Sequence, residues 1–120
     1  PIAYALTFPD RIDCALPTLN LAAIKQLTFE EPDYEKFPCI KLAQDSLEAG
    51  QSMPAVLNAA NEVAVQAFLD EEIPFKDIAE TIRIAMNNHK PHTIDSLEDV
   101  QSADRWAREE VTKLITVTTH

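Results

Sequence analysis

The chain contains one glycine, Gly50, among its 120 residues. Phosphate-binding loops, dinucleotide fingerprints and tight β-hairpins all use glycine, because it reaches positive φ and lets two backbones approach closely. The sequence therefore contains neither a GxGxxG fingerprint nor a P-loop. Eight prolines, together with the lack of alternating β-branched runs, favour helices joined by proline-containing connections.

Composition and charge narrow the class of protein. A content of 46% hydrophobic and 25% charged residues is typical of a globular domain, and this length suits a single modest core. The net charge is −10 and the basic residues are scattered, which argues against a nucleic-acid partner. No stretch approaches the roughly 18 consecutive apolar residues of a membrane helix, and no signal peptide is evident. We therefore expect no membrane partner and a cytoplasmic location, with Cys14 and Cys39 as free thiols.

The first third of the chain is broken by prolines and shows no helical periodicity beyond about two turns. A short helix before Pro9 and another turn within residues 19–25 are its expected regular elements. Such a long irregular segment is typical of a connector that runs over other parts of a protein. We assign residues 1–33 to this connector and residues 34–120 to a helical domain.

The rest of the chain predicts about four helices with short connections. Pro38 suits the first turn of one helix and Gly50 is placed to end it in the αL conformation. Ser52 is the expected N-cap of a second helix that runs to about Asp70. A third helix is expected from 75–77 to 87–89. A fourth follows the capping box of Ser96 and Asp99, with Ser102 as a second candidate cap. The predicted fold is mainly α, a bundle of about four helices preceded by an extended, proline-broken connector.

Residues 57–65, LNAANEVAV, place Asn58, Asn61 and Glu62 within the second helix. At 100° per residue these three lie outside the apolar stripe, on a face shared with Val65 and Leu69. The predicted stripe consists of Met53, Val56, Leu57, Ala60, Val63, Ala64, Ala67 and Phe68. If this face is half-buried, its polar groups need partners, because a stranded buried group costs on the order of 1–3 kcal/mol. We interpret them as a structural polar docking face for irregular backbone such as the connector. A catalytic role for Glu62 needs a second converging group, which one helix cannot supply.

Other candidate sites are weaker. His89 and His92 are three apart, but Pro91 lies between them and no third ligand is evident, so we favour a solvated turn over a metal site. Trp106 is best explained as a core anchor of the last helix. The sequence thus predicts no catalytic, cofactor-binding or metal-binding residue in this chain.

Four stretches resemble one known family: PIAYALTFPDR, LTFEEPDYEKFPCIKLA, AVLNAANEVAVQAFLDEEIPFKDIAETI and SLEDVQSADRWARE. In this order they closely resemble the C-terminal third of the 1-deoxy-D-xylulose 5-phosphate reductoisomerases. The two Asn and one Glu of LNAANEVAV, at that spacing in an apolar helix, are the most specific part of the resemblance. The match covers nearly the whole chain.

The resemblance implies an oxidoreductase that uses NADPH and a divalent cation, Mg or Mn. It isomerises and reduces 1-deoxy-D-xylulose 5-phosphate to 2-C-methyl-D-erythritol 4-phosphate in non-mevalonate isoprenoid biosynthesis. It also implies a homodimer whose N-terminal and central domains, absent from this chain, hold the cofactor, metal and substrate sites. The chain is then an excised piece with a structural and interdomain role, inactive alone. The resemblance makes residues 1–33 the end of the catalytic region and the connector, and residues 34–120 the C-terminal helical domain. The alternative is an independent helical protein-interaction module.

Overall fold

The structure is a computed structural model that describes residues 2–10, 12, 17 and 19–118. The chain divides into two compact units, Pro1–Glu31 and Pro32–His120. Within the described residues there are six helices and no strands, which confirms the predicted mainly α fold. Cys39 is a free, exposed thiol, whereas Cys14 lies outside the described residues.

The first unit contains two short helices, α1 (Ile2–Thr7) and α2 (Leu21–Ile24), where the sequence predicted them. The Asn20 side chain caps α2 by accepting a hydrogen bond of 3.1 Å from the Ala23 N–H. Neither helix buries a residue. The unit instead exposes large apolar side chains, including Ile2, Leu6, Phe8 and Phe29.

The second unit is a bundle of four helices: α3 (Pro38–Ala49), α4 (Met53–Leu69), α5 (Asp77–Asn88) and α6 (Leu97–Thr118). Pro38 stands in the first turn of α3, as predicted. Gly50 ends α3 with φ 63° and ψ −150°, and its N–H donates to the Ser46 carbonyl at 3.0 Å. The positive φ was predicted. The ψ value lies outside the predicted αL region, in a part of φ/ψ space that is essentially open only to glycine.

The start of α4 differs from its prediction. Ser52 has helical dihedral angles, φ −78° and ψ −9°, and its side chain makes no capping bond. Its hydroxyl instead contacts residues of the α5–α6 connection, which sequence reasoning could not place beside it. Ser52 thus occupies the N-cap position, as predicted, and its carbonyl accepts the Val56 N–H at 3.1 Å, but its side chain does not cap the helix.

The start of α6 is a reciprocal capping box, as predicted. The Asp99 carboxylate accepts from the Ser96 N–H at 2.9 Å, and the Ser96 hydroxyl accepts from the Asp99 N–H at 3.2 Å. The helix then continues without a break from Leu97, so Ser102 does not cap it.

Helix α4 is central and packs against α3, α5 and α6. Most of the buried side chains on α4 and α6 are small, which lets the two helices approach closely. The predicted stripe of α4 is largely confirmed, with Ala59 as an addition and with Leu57, Val63 and Phe68 only half-buried. The buried apolar residues of the unit are Leu42, Met53, Val56, Ala59, Ala60, Ala64, Ala67, Ile73, Ile78, Ile82, Ala85, Met86, Ala103, Ala107, Val111 and Ile115.

Candidate functional site

The three polar residues of LNAANEVAV lie on the outer face of α4, where all three are exposed in this chain. The half-buried state expected for these three side chains is therefore not found in this chain, and their docking to irregular backbone stays a prediction. Asn58 and Glu62 are one turn apart, and the Asn58 amide donates to the Glu62 carboxylate at 3.0 Å. Asn61 forms no side-chain hydrogen bond to any residue that the structure describes.

Arg108, on α6, joins this face to the neighbouring helix. Its guanidinium binds Asp104, one turn earlier, with two hydrogen bonds of 2.8 and 3.1 Å. The same Nη2 donates to the second carboxylate oxygen of Glu62 at 2.6 Å. Since Arg presents a planar fork of donors, Asp104 fixes its orientation and aims the remaining donor at α4.

The electrostatics of this network favour the charged forms of Glu62 and Arg108. Hydrogen bonding from Arg108, and next from Asn58, lowers the pKa of Glu62 below its ordinary value of 4.5. In the same way, Asp104 first and Glu62 second raise the pKa of Arg108. A general acid or base works best with a pKa near the working pH, and both groups are shifted away from it. The arrangement is a fixed ion pair that ties two helices together.

A groove of about 770 Å³ runs beside this ion pair, between α4 and α6. Its walls include Asn61, Gln66 and Thr112, so it offers amide and hydroxyl groups as well as the ion pair itself. Such a polar surface suits contact with polypeptide backbone, which needs both donors and acceptors. The structure thus gathers the three sequence-predicted residues at one surface and adds Arg108 to them.

A second cluster, which sequence analysis missed, joins Ser52 to the connection between α5 and α6. Ser52 is fully buried and its hydroxyl lies 2.8 Å from His89 Nε2 and 3.3 Å from His92 Nδ1. The His89 ring is half-buried against Trp106, with 4.7 Å between the ring centroids. Trp106 in turn packs against the core, as predicted. The expected solvated turn therefore holds for exposed His92 but is wrong for His89.

Neither cluster contains a set of metal ligands. Within residues 2–10, 12, 17 and 19–118, no three His, Cys, Asp or Glu side chains converge as a cation would require. None of the helices described in this structure combines the length and apolarity needed to cross a membrane.

Four helices packed around a common core, with an ion pair between α4 and α6 on the surface, define a helical-bundle domain. Comparison with known proteins gives its family: the chain belongs to the DXP reductoisomerase C-terminal domain family, which matches residues 1–110. This finding confirms the identification made from LNAANEVAV and its flanking stretches.

The similar proteins are 1-deoxy-D-xylulose 5-phosphate reductoisomerases. That of Geobacter metallireducens is 56% identical over 115 residues, and that of Chlorobaculum tepidum is 53% identical over the same length. Each alignment covers 96% of this chain but 30% of the relative. The chain thus spans less than a third of the curated relatives it matches.

Solved structures agree. The reductoisomerase of Zymomonas mobilis in complex with NADPH superposes with a TM-score of 0.85 and 42% identity, over 95% of this chain and 30% of that one. A DOX-P reductoisomerase in complex with magnesium gives a TM-score of 0.84 and 32% identity, over 99% of this chain and 32% of that one. These likenesses support the bundle and its family.

Proposed function

We propose that this chain is the C-terminal helical domain of an enzyme that converts 1-deoxy-D-xylulose 5-phosphate to 2-C-methyl-D-erythritol 4-phosphate with NADPH. The observation that carries the proposal is the match of 96% of this chain to only 30% of the Geobacter metallireducens reductoisomerase. The remaining length of such an enzyme supplies the chemistry. The present residues stabilise the protein and contact its other domains.

Two surfaces of this chain suit contacts with those other domains. In the first unit, Leu6 is 82% exposed and Phe29 is 86% exposed. Such exposure is more than is usual for large apolar side chains in a self-contained globular domain. In the second unit, the docking face of Asn58, Asn61 and Glu62 offers donors and acceptors for backbone. We assign residues 1–33 to the end of the catalytic region and its connector, and residues 34–120 to the helical domain.

We place the cofactor and metal sites of the proposed enzyme outside this chain. No cluster of three or more candidate ligands is present there, and Gly50 is used to end α3 and not to cradle a phosphate. Arg108, a possible phosphate ligand by its chemistry, is already held by two carboxylates. We therefore assign no step of the reaction to this chain and infer that NADPH and Mg²⁺ or Mn²⁺ bind elsewhere in the whole protein.

The proposal extends to assembly and location. The family resemblance implies a homodimer, which we propose for the whole protein. We also propose the cytoplasm as its location, in keeping with a biosynthetic enzyme that uses NADPH.

The test compares three forms of the protein. They are the product of the whole reading frame, the same product without the residues numbered 34–120 here, and the 120-residue chain alone. Oxidation of NADPH is followed by absorbance after addition of 1-deoxy-D-xylulose 5-phosphate and Mg²⁺. We expect turnover by the whole product, with loss of activity or thermal stability when residues 34–120 are removed. Turnover by the 120-residue chain alone would contradict the assignment of chemistry to other domains.

An independent interaction module is the competing hypothesis, and the high identity to a biosynthetic enzyme disfavours it. The two hypotheses differ in what precedes residue 1 in the gene. An upstream coding sequence with a glycine-rich dinucleotide fingerprint supports the enzyme, whereas an in-frame start codon directly before residue 1 supports the module.

A further inference from the structure

Ser52 connects two segments that are distant in sequence. Its N–H donates to the His92 carbonyl at 3.1 Å, and the His92 N–H donates to the Ser52 hydroxyl at 3.0 Å. The hydroxyl also contacts a ring nitrogen of each histidine, His89 and His92. These contacts fasten the turn between α3 and α4 to the connection between α5 and α6. We call this group of three residues the histidine clasp.

The Ser52 hydroxyl can form hydrogen bonds with both imidazoles only if at least one of them is neutral. A serine hydroxyl has one proton to donate and two lone pairs to accept with. One lone pair already receives the His92 N–H. The hydroxyl can then accept from one ring nitrogen and donate to the other, which requires at least one neutral imidazole. If both rings are protonated, three donors compete for two lone pairs and the hydroxyl proton has no acceptor.

Charge repulsion acts in the same direction. The centroids of the two imidazole rings are 5.6 Å apart, so two imidazolium ions would repel each other in a partly buried site. Burial, followed by the charge of His92, lowers the pKa of His89 from its ordinary value of 6.5. The half-buried position of His89 beneath Trp106 is the physical cause of that first contribution.

The neighbouring charges do not relieve this repulsion at His89. From α6, Asp99 faces His92 rather than His89, and one of its carboxylate oxygens, Oδ2, accepts from the Ser96 hydroxyl and two N–H groups. Glu110, also on α6, accepts from Asn88 at 2.8 Å. Lys90 lies in the connection itself and adds positive charge. The turn from Gly50 to Ser52 carries no ionisable side chain.

We propose that Ser52, His89 and His92 form a pH-sensitive clasp, closed while at least one imidazole is neutral and released when both rings become protonated. Release frees the α5–α6 connection while the core of the bundle remains folded. This inference depends only on the second unit and not on the proposed enzymatic function.

The direction of the pH dependence follows from linkage. A histidine whose pKa is lower in the closed state binds a proton more tightly in the open state. The full stabilisation of the closed clasp is therefore present above about pH 6.5, the ordinary histidine value, and it declines as the pH falls below that value.

Hydrogen exchange of the whole protein at pH 7.5, 6.5 and 5.5, read by mass spectrometry and corrected for intrinsic rates, tests the clasp. We expect the corrected exchange rate of peptides covering residues 88–96 to increase severalfold toward low pH. The increase is at most about tenfold per pH unit for each proton bound. His89→Gln places a non-titrating amide near the position of Nε2 and should flatten this increase. Lys90→Gln, an exposed neighbour in the same connection, should retain it.

Equal pH dependence in the wild type and His89→Gln would overturn the proposal. If His89→Gln fails to fold, the native protein supplies the second measurement, an NMR titration of the imidazole C–H signals. We expect the pKa of His89 to lie below its ordinary value of 6.5. Titration of His89 at or above 6.5 would overturn the clasp on its own.

Discussion

Arg108 and Glu62 join α6 to α4 across 46 positions of sequence, with 2.6 Å between the guanidinium Nη2 and the carboxylate Oε2. Asp104 holds the same guanidinium from within α6, and Asn58 holds the same carboxylate from within α4. Each partner of the ion pair is therefore oriented by its own helix before the two meet. Such preorganisation reduces the side-chain entropy that an exposed ion pair otherwise loses.

The first prediction concerns Glu62→Gln, which keeps an acceptor for Asn58 but removes the charge opposite Arg108. We expect a decrease of at most a few degrees in the unfolding midpoint, because both partners are exposed. Glu80→Gln is the matched control, since the Glu80–Arg83 pair is similarly exposed but lies within one helix. Thermal unfolding followed by circular dichroism should show a larger decrease for Glu62→Gln. A larger decrease for Glu80→Gln would show that the link between helices adds nothing.

The second prediction concerns the dependence of the unfolding free energy on pH in the acid range. The pKa of Glu62 is lowered in the folded chain, so its contribution is present above the unfolded value of 4.5 and is lost as the pH falls through the folded value. We expect the difference in unfolding free energy between wild type and Glu62→Gln to shrink as the pH falls from about 5 to about 3. Urea unfolding at several pH values measures this difference. Arg108 stays charged throughout, so a difference that grows toward low pH would contradict the assigned ion pair.

The third prediction concerns the close approach of α4 and α6. Ala107 is fully buried on α6, in a core rich in alanine, so a larger side chain there must displace its neighbours. Ala107→Leu should therefore destabilise the fold by about 1–3 kcal/mol through overpacking. Glu109→Leu, two residues later on the exposed side of α6, is the control and should change stability by less than about 0.5 kcal/mol. Chemical denaturation of the two variants separates packing from hydrophobicity, and equal effects would argue against a close-packed contact.

Most helix boundaries could be predicted because their signals are local. Pro38 and Gly50 bracket α3, and the capping box of Ser96 and Asp99 starts α6, each through bonds within a few residues. The apolar stripe of α4 likewise follows from the helical period. Such signals act on the backbone beside them, so one sequence is enough to find them.

The clusters between helices could not be predicted, because periodicity gives the face of a helix but not its register against a neighbour. Glu62 was recognised as unusual, yet nothing in the sequence indicated that Arg108 would lie opposite. The Ser52 hydroxyl was expected to cap α4, since the pattern of a serine before a proline is the same whether the hydroxyl bonds to its own helix or to His89. These contacts depend on tertiary packing.

The fourth prediction concerns Ser52→Ala. The fully buried hydroxyl accepts the His92 N–H and contacts both imidazoles, so its removal leaves partly buried polar groups of the two histidines without this partner. We expect a loss of about 1–3 kcal/mol in unfolding free energy. Ser102→Ala, at an exposed position inside α6, is the control and should change stability little. If Ser52→Ala were as stable as Ser102→Ala, the buried hydroxyl would make no net contribution to folding.

The last prediction tests the docking face of α4. Asn61 is exposed in this chain and makes no side-chain hydrogen bond to the described residues, so Asn61→Ala should leave the isolated 120-residue chain almost unchanged. If other domains of the whole protein cover this face, the same substitution there leaves backbone groups unpaired and should cost about 1–3 kcal/mol. Asn87→Ala, an exposed amide on α5, is the matched control for both forms. Differential scanning calorimetry of the whole protein and of the chain gives the comparison. An effect of Asn61→Ala that is equally small in both forms would show that this face stays in solvent, and LNAANEVAV would then need another explanation.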